Sequence, residues 1–377
     1  FSMPDIVPTL PSGRNGLRQV LVVIRADVYP SSMALPPNID PDAPSSGEGI
    51  FGLPPDLETA GVVLLPVPWA ATVSYGEGTA AGPAAIWQAS QQIDLFDHET
   101  GRPYESGITM AEAPAGIESW NAKARIAVER MLAETNGQGD AEHPSARLAS
   151  ELFEPVQSWV RSETERYRAL GALVGVVGGE HSVPFGAIAA IAEAEGELGI
   201  LQVDAHADLR PSYMGLRWSH ASIFDNVLRE IPNVTRLVQV GLRDLGVGEA
   251  KRIDTDARIF AHHDADLSTR LFQGETWDAL GREIVAQLPP KVYVSLDIDG
   301  LEPAFCPHTG TPVPGGLSFG QVTHLLRLIA LSKRTIVGFD LCEVAPDPSG
   351  TSEWDANVGA RLLYKLIGFA LRSRSTG

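Results

Sequence analysis

The sequence predicts an α/β protein: a parallel sheet with helices on both faces. Two observations lead there. From Gly61 onward short apolar runs of strand length alternate with amphipathic stretches of helical length, the spacing of strand–helix–strand units. Clusters of polar residues also follow successive apolar runs directly, at the strand ends where open parallel sheets bind ligands.

The first sixty residues hold ten of the 28 prolines and read as an extended, surface-hugging arm. Within it, the apolar run at 17–24 is strand-like, which weighs against a disordered tail, and a polar Pro/Ser/Gly stretch at 36–49 leads towards the core. Residues 62–68 read as the first buried strand, and 82–90 as a helix with Pro83 in its first turn. Helices follow at about 119–134 and 146–170. Strand candidates lie at 172–177, 198–203, 236–240, 258–261, 291–296 and 335–339. Helical segments near 184–195, 221–229, 276–287, 318–331 and 354–371 separate most of them. No fixed-period repeat is present.

Composition narrows the function. The formal net charge of −18 argues against a nucleic-acid partner and mildly favours cationic ligands. No apolar run reaches the roughly 18 residues of a membrane span, and no signal-peptide pattern opens the chain. Cys306 and Cys342 are too few for a disulfide framework and point to a reducing, cytoplasmic compartment.

Five polar clusters converge on one rim of the predicted sheet: 178–182, 204–208, 241–244, 297–300 and 340–343. The most telling is Asp204-Ala205-His206-Ala207-Asp208, with two carboxylates about one imidazole at alternate positions. In an extended segment the outer two lie roughly 13 Å apart, so one ion cannot take all three. Either the segment curls as it leaves the sheet or it serves more than one ion. With His181, Asp297 and Asp299 the candidates become two imidazoles and four carboxylates, a donor set without thiolate that suits Mn, Co or Ni better than a structural zinc. Two ions about 3.5–4 Å apart, sharing carboxylates, use all six, and the reaction class is metal-assisted hydrolysis. A lone Gly-Gly or Asp-x-Asp is usually a turn; their recurrence at strand ends is not.

The motifs Gly-Gly-Glu-His-Ser, Asp-Ala-His-Ala-Asp, Ser-Leu-Asp-Ile-Asp-Gly-Leu-Glu-Pro and His-Thr-Gly-Thr-Pro-Val-Pro-Gly-Gly-Leu resemble, in order, the signatures of the ureohydrolase superfamily, the arginases and agmatinases. The resemblance spans roughly residues 60–370, so 1–60 reads as an arm and 61–377 as the catalytic domain. It implies a three-layer α/β/α fold around an eight-stranded parallel sheet, assembled as trimers or hexamers. It further implies a binuclear, typically manganese, centre that hydrolyses a guanidino group to urea plus ammonia or an amine. By the same resemblance His181, Asp204, Asp208 and Asp297 would hold one ion, and Asp204, His206, Asp297 and Asp299 the other. Asp208 would carry a proton to the leaving amine, Glu343 would accept hydrogen bonds from the guanidinium, and His220 would be the loop histidine that acts as acid or proton shuttle.

The match fails in ways that bear on substrate. The loop at 209–219 lacks, at the expected spacing, the Asn and Ser groups with which arginases grip a carboxylate, and Gly246 stands where their acid for the substrate amino group falls. The chain instead looks like the longer agmatinase-like branch, which includes nickel-using guanidine hydrolases. Trp218 and Tyr213 are expected to make a small aromatic pocket for guanidine, agmatine or another short alkylguanidine. Arg210 or Arg217, if turned inward, would favour a guanidino acid such as guanidinobutyrate; exposed arginines more often face solvent. Two rivals are a single-zinc deacetylase-like hydrolase, against which His181, Asp204 and Asp299 argue, and an inactive partner subunit, against which the intact ligand set argues. His262 and His263 read as a polar strand end rather than another metal site.

Overall fold

Continuous runs of Val, Leu and Ile demand cover on both faces, and eight such segments form one parallel sheet. The computed structural model describes residues 40–43, 45 and 47–375, so the run at 17–24 lies outside the described residues. The strands are β1 (Val62–Val67), β2 (Ile108–Met110), β3 (Leu173–Gly178), β4 (Leu198–Val203), β5 (Val234–Leu242), β6 (Ile259–His263), β7 (Lys291–Asp297) and β8 (Thr335–Cys342). Their order in the sheet is β2-β1-β3-β8-β7-β4-β5-β6, with every adjacent pair parallel. Every residue of β1, β3 and β4 is buried.

Helices cover both faces, giving the three layers expected. On one side pack α1 (Gly82–Ser90), α8 (Trp277–Ala286), α9 (Phe319–Ala330) and α10 (Trp354–Ser375); on the other α2 (Ile117–Glu134), α3 (Pro144–Ala169), α4 (Phe185–Glu195) and α5 (Ile223–Glu230). Local chemistry starts several of them. Pro83 sits in the first turn of α1, where a missing N–H is harmless. Ser318 and Gln321 form a reciprocal capping box on α9: Ser318 Oγ accepts from Gln321 N, and Gln321 Oε1 accepts from Ser318 N.

Three elements differ from the expectation. Strand β2 was absent from it because three residues are too short to show a period, and only the edge of β1 makes them a strand. Helix α6 (Val247–Thr255) buries Glu249 alone, so it has no apolar stripe to read. Helix α7 (Asp264–Phe272) follows β6 with no intervening loop, which hides the change of period. Both cysteines are buried free thiols, and among the described residues no helix is long and apolar enough to cross a membrane.

Candidate metal centre and substrate pocket

The strands that end in acidic and imidazole residues are β3, β8, β7 and β4, which lie side by side in the sheet. Residues distant in sequence therefore meet at one rim. His181 follows β3; Asp204, His206 and Asp208 follow β4; Asp297 ends β7, with Asp299 just beyond; Glu343 follows β8. Asp208 (φ +53°) and Glu343 (φ +63°) both adopt the left-handed region that residues with a Cβ rarely enter. Such strain persists where the surroundings over-determine it, and it concentrates at functional sites.

The segment after β4 does curl. His181 Nδ1 faces Asp204 Oδ2 at 3.0 Å, Asp208 Oδ2 at 3.2 Å and Asp297 Oδ2 at 3.4 Å. His206 Nδ1 lies 3.0 Å from Asp299 Oδ2 and 3.5 Å from Asp204 Oδ1. Two donor groups result, His181/Asp204/Asp297 and Asp204/His206/Asp299, sharing Asp204. All six residues expected as ligands come together. Asp297 falls in the first group, and its Oδ1 also accepts the N–H of Asp299 at 2.8 Å, which ties it to a residue of the second.

Three of the donors, Asp204, His181 and Asp299, are held from behind. Gln202 on β4 donates to Asp204 Oδ2 at 2.8 Å and accepts in turn from Gln239 on β5 at 2.6 Å. Ser295 Oγ donates to the buried Asp340 at 2.8 Å, so it accepts from His181 Nε2, 2.9 Å away. That places the ring hydrogen on Nε2 and turns Nδ1 to the carboxylates. Asp299 accepts from Ala205 N at 3.0 Å and from Thr311 Oγ1 at 3.2 Å.

The electrostatics suit cations. Burial, then the charge of Asp204, raises the Asp208 carboxyl to about 7. Burial, followed by Asp299 and Asp204, pushes Asp297 well above the usual carboxylate range. For His206, burial acts downward but Asp299 and Asp204 act upward more strongly, to about 12. Crowded carboxylates that resist ionising, beside imidazoles that hold protons, are what divalent ions relieve. The donors are oxygen and imidazole nitrogen only, for Cys342 Sγ is turned towards Asp340, so the set fits a hard or borderline ion.

Over the rim opens a cavity of ≈ 330 Å³ whose wall includes His206, Asp208, Arg210, Tyr213, His220 and Asp244. Glu343 lies deeper, its Oε1 accepting the N–H of His181 at 2.8 Å, with burial and then Glu180 raising its pKa. His220 is not on a free loop. It starts a 3-10 turn, His220–Ser222, and burial lowers its ring to about 4, which keeps it neutral.

Trp218 departs from the expectation: its ring packs against Phe185 and Phe153, at centroid distances of 5.0 and 6.3 Å, as part of the core beneath the pocket. Its indole is too large and apolar to stay at a polar mouth while that core accepts it. Arg217 stacks on it, 4.7 Å from the ring centroid, and pairs with Glu230. Tyr213 lines the pocket as expected, joined by Tyr75. Arg210 does face the cavity, its Nε 3.4 Å from Glu249 Oε2 and its guanidinium 5.0 Å above the Tyr213 ring. His262 bonds Gln287 at 2.9 Å, and neither it nor His263 joins a donor group among the described residues.

Sequence reasoning missed Thr72, Tyr75, Glu249, Ser295 and Thr311. The first two lie on a further rim segment, after β1, that carries no charge before Glu77 and so raised no signal. Position in the strand-end pattern was the clue that could have found them.

A profile of the arginase family matches residues 60–368. N(1)-aminopropylagmatine ureohydrolase of Thermus thermophilus is 35% identical over 316 residues, covering 82% of this chain and 90% of the relative. Guanidinobutyrase of Pseudomonas aeruginosa is 29% identical over 326 residues, covering 83% and 88%. The crystal structure of a hypothetical agmatinase from Burkholderia thailandensis superposes with a TM-score of 0.67 at 23% identity, covering 94% of this chain and 96% of that one, which establishes the likeness of fold.

Proposed function

The chain belongs to the arginase family and is a ureohydrolase, and on that premise we propose that it cleaves a short guanidino compound to urea plus ammonia or an amine. The observation that carries the reading is the pair of donor groups sharing Asp204, set beside a deeper carboxylate, Glu343. In this proposal His181, Asp204, Asp208 and Asp297 hold one divalent ion, and Asp204, His206, Asp297 and Asp299 the other. Two ions, Mn or Ni, supply Lewis acidity and a nucleophilic water at neutral pH. Glu343 accepts N–H bonds from the planar guanidinium and so orients it, a task a carboxylate suits. Asp208, beside Asp204 and His181 at the rim, would take up a proton at its carboxylate and pass it towards the leaving amine. His220, neutral in the pocket wall, would take up a proton at its ring before passing it to the leaving nitrogen.

We place the substrate among guanidines with a neutral or cationic tail: guanidine, agmatine or a longer relative. Arg210 is already engaged by Glu249 and Tyr213, whereas Asp244 faces the cavity without a cationic partner among the described residues. A guanidino acid is the second reading. It is favoured by the presence of Arg210 in the wall and by the similarity to a guanidinobutyrase. The proposal retains residues 61–377 as the catalytic domain, 1–60 as an arm, and a trimer or hexamer as the assembly, to be read by light scattering.

The test is urea release by the chain reconstituted separately with Mn and with Ni, given guanidine, agmatine, guanidinobutyrate or arginine. Urea from guanidine or agmatine is expected. Urea from guanidinobutyrate alone would move the assignment to the second reading, and urea from arginine alone would overturn the substrate argument. No urea from any of them, with two ions bound, would overturn the activity.

A further inference from the structure

We propose that Thr72 is a positioning residue that sets the tautomer and the angle of the His220 ring, and that buried Glu180 in turn holds Thr72. This rests on the reading of His220 as a proton donor. Glu180 is the residue of Gly-Gly-Glu-His-Ser left without a task among the proposed ligands, and it is completely buried. A buried carboxylate persists only where hydrogen bonds satisfy it. Its Oε1 accepts from Ser182 Oγ at 2.5 Å, and its Oε2 accepts the backbone N–H of Thr72 at 2.8 Å. Its own N–H donates to Trp69 O at 2.8 Å. The loop after β3, which bears His181, is thereby stitched to the loop after β1.

Thr72 then reaches the third loop. Its hydroxyl oxygen lies 3.2 Å from the backbone N–H of His220, which donates to it, and 3.1 Å from His220 Nδ1. That oxygen has two lone pairs and its hydrogen is taken by the Glu180 carboxylate, which the Thr72 side chain also hydrogen-bonds, so Nδ1–H donates to Thr72 Oγ1 and the lone pair of the neutral ring is left on Nε2. The other polar neighbour, Ser219 Oγ, is 3.5 Å from Nδ1, at the limit of a hydrogen bond. Tyr213 stands edge-on to the ring at 5.7 Å between centroids. Nε2, unprotonated in the neutral ring, is thus the end available to the cavity that His220 lines, where it can take up a proton and pass it to a leaving nitrogen.

The test is a cycle of variants of the Mn-reconstituted enzyme, assayed with whichever guanidino compound it turns over. Thr72→Val keeps the shape and removes the hydroxyl. General acid–base groups contribute roughly 10²–10⁴-fold, and a misaligned ring forfeits part of that, so kcat should fall about tenfold with KM within about twofold. Thr72→Ser should restore most of the rate. Thr72→Val should add nothing to a His220→Asn enzyme, because the two act on one step. Thr72→Ala serves the same cycle if the valine variant does not fold. An unchanged kcat in Thr72→Val, equal losses in the serine and valine variants, or full additivity with His220→Asn would overturn the proposal. If His220→Asn alone keeps the wild-type rate, the role of His220 falls first and takes this inference with it.

Discussion

Arg243 shows how much one side chain can hold. Its guanidinium donates to four backbone carbonyls: Gly241 at 3.1 Å, Asp299 at 2.6 Å, Leu301 at 3.2 Å and Val313 at 2.9 and 3.2 Å. These belong to the ends of β5 and β7 and to the loop that walls the pocket. Lysine keeps the charge but not the planar fork, so Arg243→Lys should cost about 2–3 kcal/mol, read as a lower urea midpoint, and should reduce activity through Asp299. A midpoint unchanged within error would show that the carbonyls find water instead. His220 predicts a pH dependence. Its ring is neutral in the folded chain down to about 4, whereas the unfolded ring takes a proton near 6.5. Between those values the unfolded chain binds more protons, so this contribution is complete above about pH 6.5 and is lost as the pH falls towards 4. Denaturant titrations from pH 4 to 7 should show a shallower decline for His220→Asn than for the wild type; parallel curves would mean that the ring titrates normally. Much of the residue-level site was legible: the six ligand candidates and Glu343 are ionisable and sit in motifs. Thr72 and Ser295 were not, because an uncharged hydroxyl gains meaning only from what it faces.

Among elements, the tightest packing is between neighbouring strands. A Cβ at Gly175 on β3 would stand 2.1 Å from Phe339 Cε2 on β8, and both strands are buried, so neither can yield. Gly175→Ala should destabilise by about 1–3 kcal/mol, and it should disturb His181 and Glu343 at the ends of the same two strands. The contrast is Gly248 in α6, where a Cβ would meet nothing within 4 Å. Gly248→Ala should stabilise by about 0.4–1 kcal/mol, since it narrows the unfolded ensemble within a helix. Melting curves of the pair check both signs, and a destabilised Gly248→Ala would contradict the argument. Elements with a strong apolar period were readable, and α1 spans the predicted residues. Those without one, β2 and α6, take their form from neighbours and caps: Gly246 N donates to Glu249 Oε2 at 2.8 Å, and no hydrophobic pattern announces that.

On the scale of the molecule, four carboxylates and two imidazoles are gathered at the end of a sheet whose strands are mostly apolar. Divalent ions that bind this arrangement stabilise the fold that makes it. Dialysis against a chelator should therefore lower the melting temperature by several degrees and abolish urea release, and Mn should restore both. An ion present at 100 times its dissociation constant contributes about 2.7 kcal/mol per site. A melting temperature indifferent to chelation would argue against a preformed centre. The class of fold, the donor types and the family were written in the sequence, because burial period and strand-end position are local properties of a chain. Which strands are neighbours was not. His181, Glu343, Asp297 and Asp204 come from β3, β8, β7 and β4, contiguous in the sheet but separated by up to 162 residues, and strand order is a long-range property. Only the folded sheet decides that Asp204 is shared, that Trp218 leaves the pocket for the core and that Arg210 enters it against Glu249, because each outcome depends on which surfaces compete for the same side chain.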